Sequence, residues 1–70
     1  MSAATIATEL SVPERVLLFC LASGTEWAEA GITGATVTAM VVRGLVDRDS
    51  AARLVLRRDG RAVLDALLGE

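Results

Sequence analysis

The segment Thr36–Leu68, TVTAMVVRGLVDRDSAARLVLRRDGRAVLDALL, contains the clearest changes of apolar spacing in the chain. Its apolar residues recur at helical intervals up to Gly44 and again after Gly60. Between these stretches, Leu54 and Leu56 alternate with Arg53, Val55 and Arg57, as in a strand with one apolar face. The polar run Asp47–Ser50 has the composition of a hairpin tip. The pattern therefore predicts a helix, a two-stranded hairpin and a final helix, in that order.

Each of these two helices has a predicted buried face. In the first helix, Val37, Met40 and Val41 fall at positions i, i+3 and i+4. This helix begins with Thr33 as its cap and stops at Gly44. The final helix runs from about Asp59 to Leu68, with an inner face of Val63, Leu64, Leu67 and Leu68.

A central helix is predicted upstream. Ser11 can cap the free amides at its start, Glu14 can return the hydrogen bond, and a proline is tolerated in the first turn. The run Val16–Ala22 is apolar on nearly every side, which is typical of a buried helix, and Ser23-Gly24 ends it. Cys20, inside the run, is predicted to be a buried structural thiol.

A short helix is predicted next. Thr25 is its expected cap, Trp27 is expected to pack it against the core, and Gly31 terminates it in a left-handed conformation. The connection to the following helix is as short as the turn of a helix-turn-helix. The predicted order is thus helix, helix, turn, helix, hairpin, helix. We therefore predict an α+β, mostly α, winged helix-turn-helix fold with three helices, a two-stranded wing and a C-terminal helix.

The chain divides into two predicted segments. Residues 11–70 form the winged helix-turn-helix domain. Residues 1–10 are open to three interpretations, namely a short helix, a dimerisation arm or a frayed tail, and Ile6 and Leu10 are spaced to share a helical face. A chain of 70 residues builds only a small core. Such chains often complete the core by pairing with a second copy, so a homodimer is expected.

Charge is distributed unevenly along the chain, although the net charge is only -2. Residues 1–32 carry one arginine and four glutamates, whereas residues 33–61 carry six arginines and three aspartates. All basic residues are arginines, which bind phosphate through two parallel hydrogen bonds. The sequence thus joins an acidic segment to a basic segment suited to phosphate contact.

Composition gives little support to catalysis. The chain has no histidine, tyrosine or lysine to act as a base near neutral pH. Glu26 and Glu29 are more simply solvated residues of a short helix than an acid–base pair. We predict that the protein is not an enzyme and uses no metal or cofactor. The run Val16–Ala22 is too short to cross a bilayer, and no signal peptide is recognisable, so a cytoplasmic protein without a membrane partner is expected.

The segments Thr36–Asp49 and Leu54–Leu68 resemble the second half of small bacterial and phage winged-helix transcriptional regulators, broadly of the MarR-like type. Those proteins carry a recognition helix ending in Gly-Leu-Val, a wing, and a Leu-Thr-x-x-Gly-Arg segment that opens the next helix. Gly44-Leu45-Val46, Leu56 and Gly60-Arg61 match this pattern. Arg57 stands where those proteins have a capping threonine, so Asp59 is the expected cap here.

The resemblance implies a double-stranded DNA partner and a role in transcription regulation. Arg48 and Arg53 flank the hairpin tip, where their guanidinium groups can bind phosphates or enter a minor groove. The helix before the hairpin offers mainly threonine and alanine, and only Arg43 could read guanine bidentately, so direct base readout is expected to be poor. The predicted DNA-contacting residues are Thr33, Thr36, Arg43, Arg48, Arg53, Arg57 and Arg58.

Two alternatives stay open. The hairpin arginines can be solvated side chains paired locally with Asp47, Asp49 and Asp59, although exposed pairs contribute only about 0–1 kcal/mol each. The whole chain can instead be a winged-helix protein-interaction module, for example a phage protein that docks on a host complex without binding DNA. The acidic N-terminal half and the lack of base-reading side chains favour this second alternative.

Overall fold

The computed structural model describes residues 2–69, so Met1 and Glu70, the outer ends of the two predicted segments, lie outside the described residues. The fold is α+β and mostly helical, as predicted. The helices are α1 (Ala3–Glu9), α2 (Val12–Ser23), α3 (Gly34–Val42) and α4 (Arg58–Leu68). A 3-10 turn (Trp27–Ala30) lies between α2 and α3, and the strands β1 (Val46–Arg48) and β2 (Leu54–Leu56) lie between α3 and α4.

The start of α2 confirms the predicted capping box. The Ser11 hydroxyl oxygen accepts a hydrogen bond from the Glu14 amide at 3.4 Å, and Glu14 Oε1 accepts one from the Ser11 amide at 2.8 Å. At the other end, Gly24 has a φ of 75°, the left-handed conformation in which helices commonly stop. Leu17 and Cys20 are buried, as the apolar run predicts.

The segment after α2 differs from the prediction. The expected short α-helix is a four-residue 3-10 turn, and it has no side-chain cap. The Thr25 hydroxyl lies 2.9 Å from the Ser23 hydroxyl and caps nothing. A segment this short favours the tighter i to i+3 hydrogen bonds over a nucleated α-helix. The predicted left-handed terminator is confirmed, because Gly31 has a φ of 85°.

The start of α3 is capped as predicted, but its buried face is narrower. Thr33 Oγ1 accepts a hydrogen bond from the Thr36 amide at 3.4 Å. Val37 and Met40 are buried, whereas Val41 is 39% exposed, so the prediction was wrong at that residue. The elements that pack most extensively against α3 are α2 and β1. Val41 lies at the margin of the side that faces them, where its side chain stays partly in water.

The hairpin is antiparallel, as predicted, with strands of three residues each. Val46 pairs with Leu56, Asp47 with Val55, and Arg48 with Leu54. Because paired residues share a face of the sheet, the register places Leu54 and Leu56 on the side that packs against the core. Val55 points to the opposite, exposed side.

The start of α4 is not capped by Asp59. Arg57 occupies the N-cap position, no side chain caps this end, and Asp59 lies in the first turn. The Arg57 amide donates a hydrogen bond to the Leu45 carbonyl at 3.0 Å. Backbone contact with the base of the hairpin therefore positions this helix start, and the expected carboxylate cap is not used.

The inner face of α4 ends earlier than predicted. Val63 and Leu64 are buried and Leu67 is half-buried, but Leu68 is 66% exposed. At 3.6 residues per turn, Leu68 lies roughly a quarter of a turn from the centre of the face formed by the other three. It therefore sits at the margin of the packed surface, and the prediction was wrong for this residue.

Residues 2–10 contain a short helix that packs mainly against α4. The Ser2 hydroxyl accepts a hydrogen bond from the Thr5 amide at 3.2 Å and caps α1. Ala7 and Leu10 are buried, and Ile6 packs against the core from a half-buried position. Residues 3–9 thus form the short helix of the three interpretations, and Ala7 and Leu10 contribute to the core of the same chain. A contribution of this segment to a dimer stays a prediction.

A close contact with the Leu45 backbone explains why residue 60, in the first turn of α4, is a glycine. A Cβ atom at this position would overlap the carbonyl oxygen of Leu45. Leu45 is fully buried, so the backbone before β1 and the first turn of α4 are pressed together at the centre of the molecule. The glycine of the Gly60-Arg61 pair noted in the sequence is therefore required for steric reasons.

Candidate nucleic-acid interface

The tip of the hairpin is held by the carboxylate of Asp49. Asp49 Oδ1 accepts hydrogen bonds from the amides of Ala51 at 2.9 Å and Arg53 at 3.0 Å. The backbone closes the same turn, because the Asp49 amide donates to the Arg53 carbonyl at 2.9 Å. The Arg53 amide, with that of Ala51 and the Arg53 charge adding to it, lowers the pKa of Asp49 below its ordinary value. The Asp49 carboxylate is therefore ionised at neutral pH and stabilises the backbone conformation of the tip.

The arginines of the hairpin are exposed and loosely engaged. Arg53 Nε lies 3.6 Å from Asp49 Oδ2, with 81% of its side chain exposed. Arg57 Nη1 lies 3.5 Å from Asp47 Oδ2. Exposed pairs of this kind contribute only about 0–1 kcal/mol. The local pairing expected as an alternative thus occurs with Asp47 and Asp49, yet it is weak enough for phosphate oxygens to replace the carboxylates.

Two further arginines of this part of the chain, Arg48 and Arg58, form no ion pair among residues 2–69. Arg48 Nη1 donates a hydrogen bond to the Ala52 carbonyl at 3.1 Å, which keeps the side chain across the tip. Arg58 is exposed in the first residue of α4. We define the hairpin surface as the four arginines of the hairpin and of the helix start that follows it, namely Arg48, Arg53, Arg57 and Arg58.

Arg43 does not join the hairpin surface. Its Nε lies 3.5 Å from Glu14 Oε2, and its Nη1 lies 3.9 Å from Glu9 Oε1. These contacts tie the end of α3 to the end of α1 and the start of α2. The structure therefore occupies the one predicted guanine-reading side chain with two carboxylates from the acidic N-terminal segment.

Glu14 is the central member of this cluster. Partial burial raises its pKa, but the amide and hydroxyl of Ser11 and the guanidinium of Arg43 together lower it more, so the net pKa lies below the ordinary 4.5. Its side chain is only 12% exposed. Glu14 therefore caps α2 and holds Arg43 at the same time.

Replacing Glu14 separates these two contributions. Glu14→Ala removes both, and we expect the free energy of unfolding to fall by about 1–2 kcal/mol, as for a lost cap. Glu14→Gln keeps a capping acceptor and loses only the charge, so the expected loss is about 0.5 kcal/mol. Urea unfolding at neutral pH measures both variants. Equal losses would contradict the capping contribution.

The parent and Glu14→Gln should also differ in how their free energy of unfolding depends on pH. The pKa of Glu14 is lower in the folded chain than in the unfolded chain, so its stabilising charge contribution is present above about pH 4.5. That contribution is lost as the pH falls through the lowered value. Glu14→Gln should therefore lose less stability than the parent between neutral pH and acid, and parallel pH profiles would count against the ion pair.

The two threonines predicted to contact DNA both stand at the start of α3. Thr33 is exposed and engaged as the helix cap, and Thr36 is half-buried with its hydroxyl 3.4 Å from that of Thr33. Both hydroxyls thus serve the helix start in the first place. Their predicted contact with DNA remains a prediction.

The exposed side of α3 is apolar. Ala35, Thr38 and Val42 are exposed and fall at i, i+3 and i+7, and Val42 is 81% exposed. None of these side chains can bind a base edge bidentately. Sequence reasoning missed the exposed valines. The available signal was the unbroken run Met40–Val42, which is too wide for one buried face.

The chain matches no protein-family model, no curated protein and no solved structure. Within residues 2–69, no helix has the length and hydrophobicity needed to cross a bilayer. The same residues contain no group of three or more histidine, cysteine, aspartate or glutamate side chains placed to hold a metal ion.

Proposed function

We propose that the protein is a small winged helix-turn-helix regulator of transcription that binds double-stranded DNA, with the hairpin as its wing. The proposal rests on the hairpin surface, whose four arginines lie on the hairpin and at the start of the adjoining helix. The hairpin directly follows α3, the helix that would lie in the major groove. The 3-10 turn and α3 would form the helix-turn-helix, with the turn at Gly31 between them.

Phosphate contact is the chemistry that this surface supports best. Guanidinium groups bind phosphate through two parallel hydrogen bonds, and weak exposed pairs with Asp47 and Asp49 oppose this exchange only slightly. The wing would therefore supply most of the affinity.

Sequence preference would be modest. The exposed side of α3 can offer methyl groups of Ala35, Thr38 and Val42 to thymine methyls, but no bidentate hydrogen bonds to bases. Arg43 would have to leave Glu9 and Glu14 before it could read guanine. A homodimer would place two such helices about 34 Å apart, one DNA turn, and double the weak contact of each copy.

A DNA titration at two salt concentrations tests the proposal. We expect binding of the parent to weaken steeply with salt, because counterions are released from contacted phosphates. Arg48→Ala with Arg53→Ala should lower affinity about 10- to 100-fold for every duplex tested and reduce the salt slope by about 2. The variant Arg61→Ala is the control, because it removes an exposed arginine of α4 that lies outside the hairpin surface.

Two outcomes would contradict the proposal. One is a double variant that binds duplex DNA as tightly as the parent. The other is a parent that shows no binding even at low salt. Fluorescence anisotropy of a labelled duplex gives the affinity, and gel filtration at the same protein concentrations gives the oligomeric state.

A protein-interaction module is the second candidate, favoured by the exposed apolar side of α3. Val42, which is 81% exposed, is a large apolar side chain on this side that a protein partner would bury. Under this candidate, Val42→Glu should abolish capture of a protein partner that the parent retains, while no duplex is bound at low salt. Retention of that partner by Val42→Glu would reject α3 as the docking surface.

A further inference from the structure

A cleft of about 450 Å³ opens between the end of α2, the 3-10 turn and the hairpin. Its volume falls in the range of about 300–1,000 Å³ typical of small-ligand sites. Sequence reasoning did not anticipate it, because its walls come from three separate segments. The side chains that matter for recognition are those of Leu21, Glu26, Trp27, Arg48, Arg53 and Leu54.

The walls of the cleft differ in chemistry. Leu21 and Leu54 are half-buried and give the cleft an apolar lining. Trp27 is half-buried at the helical wall, where its indole can stack against a flat ring. The cleft therefore suits a planar body of mixed polarity.

Charge separates the two sides of the cleft. Arg48 and Arg53 belong to the hairpin wall, and Glu26 belongs to the helical wall beside Trp27. Arg53 has only the weak 3.6 Å pair with Asp49, so it can turn to a ligand anion. A ligand that satisfies both walls needs an anion at one end and N–H donors at the other. A simple aromatic acid lacks the donors and would leave the Glu26 carboxylate unpaired.

We propose that this cleft binds a nucleotide. The base stacks on Trp27, the phosphate lies between Arg48 and Arg53, and the Glu26 carboxylate accepts hydrogen bonds from the base. Guanine fits best, because its Watson–Crick edge presents two adjacent N–H donors to the two carboxylate oxygens. The site goes beyond contact with paired DNA, since a base inside a duplex cannot enter it. A free mononucleotide and an unpaired nucleotide of a strand share the required chemistry.

Trp27 makes the proposal directly measurable. It is the one tryptophan of a chain without tyrosine, so the tryptophan fluorescence of the protein comes from a residue of the cleft wall. Titration with dGMP should quench this fluorescence saturably. Arg48→Ala with Arg53→Ala should weaken the binding about tenfold or more, as expected for lost hydrogen bonds between charged groups. Glu26→Gln should reduce the preference for dGMP over dTMP, and Arg61→Ala should leave both nucleotides unaffected.

Three further titrations distinguish the source of the nucleotide and the role of each end. Quenching by dGMP supports a free nucleotide, and quenching only by a guanine-containing single strand supports an unpaired base. Deoxyguanosine, which lacks phosphate, should bind much more weakly than dGMP. Benzoate should fail to compete with dGMP. Circular dichroism of each variant confirms that the fold is retained.

Three results would overturn the proposal. They are no saturable quenching by either dGMP or the single strand, an unchanged affinity in the double arginine variant, and equal binding of benzoate and dGMP. Duplex binding is read separately, from the anisotropy of a labelled duplex. If the protein binds duplex DNA but no nucleotide, only the cleft proposal is contradicted. If it binds nucleotide but no duplex DNA, only the proposed function is contradicted.

Discussion

Gly60→Ala is expected to lower the free energy of unfolding by about 3 kcal/mol or more, a large share of the total for a chain of this size. The added methyl group would overlap the Leu45 carbonyl oxygen and come within 2.9 Å of its carbonyl carbon. Both atoms belong to backbone, so no side-chain rotation can relieve the clash. Either the first turn of α4 or the segment before β1 must move.

That movement has a second cost. The Leu45 carbonyl also accepts the hydrogen bond from the Arg57 amide that positions α4, and Leu45 is fully buried. Displacing the backbone of Leu45 weakens both this hydrogen bond and the packing of the core. We therefore expect the hairpin surface to lose its position relative to α3 even in the fraction of molecules that remains folded.

Urea unfolding followed by circular dichroism measures the effect, and Gly34→Ala is the matched control. Gly34 is the first residue of α3, and a Cβ atom there meets nothing within 4 Å. The control should be neutral or stabilising by up to about 1 kcal/mol, because alanine is the better helix former. If both substitutions have the same effect, the close approach of α4 to Leu45 is wrong.

Leu17→Ala is expected to cost about 3 kcal/mol, through lost burial and the cavity that remains. Leu17 is fully buried in α2, the helix that packs against α3, α4 and β2. A domain of 70 residues has a total stability of only about 4–10 kcal/mol. The variant should therefore unfold at a much lower temperature and urea concentration than the parent.

Phe19→Ala is the control for the core substitution. Phe19 lies two residues further along α2 and is 39% exposed, so its truncation removes a larger side chain from a less buried site. We expect a loss of about 1 kcal/mol or less, because part of the ring is already in water. A larger loss for Phe19→Ala than for Leu17→Ala would reverse the assigned orientation of α2.

The features that depend on neighbouring residues could be predicted from the amino-acid sequence. The Ser11 and Glu14 capping box, the left-handed stop at Gly31 and the alternation of β2 were all predicted and confirmed. Each of these rests on hydrogen bonds or side-chain directions set within about four residues. The α+β, mostly helical class follows from the same local signals, since the apolar spacing changes where the elements change.

Contacts between side chains that are distant in sequence could be seen only in the folded chain. Val41 and Leu68 stay exposed because the margin of a helix is buried only where another element covers it. Arg43 is held by Glu9 and Glu14, residues far from it in sequence, and no spacing rule relates them. The cleft at Trp27 likewise needs three segments folded together. Local chemistry therefore set the elements and their order, whereas long-range packing decided which arginines remain available for a ligand.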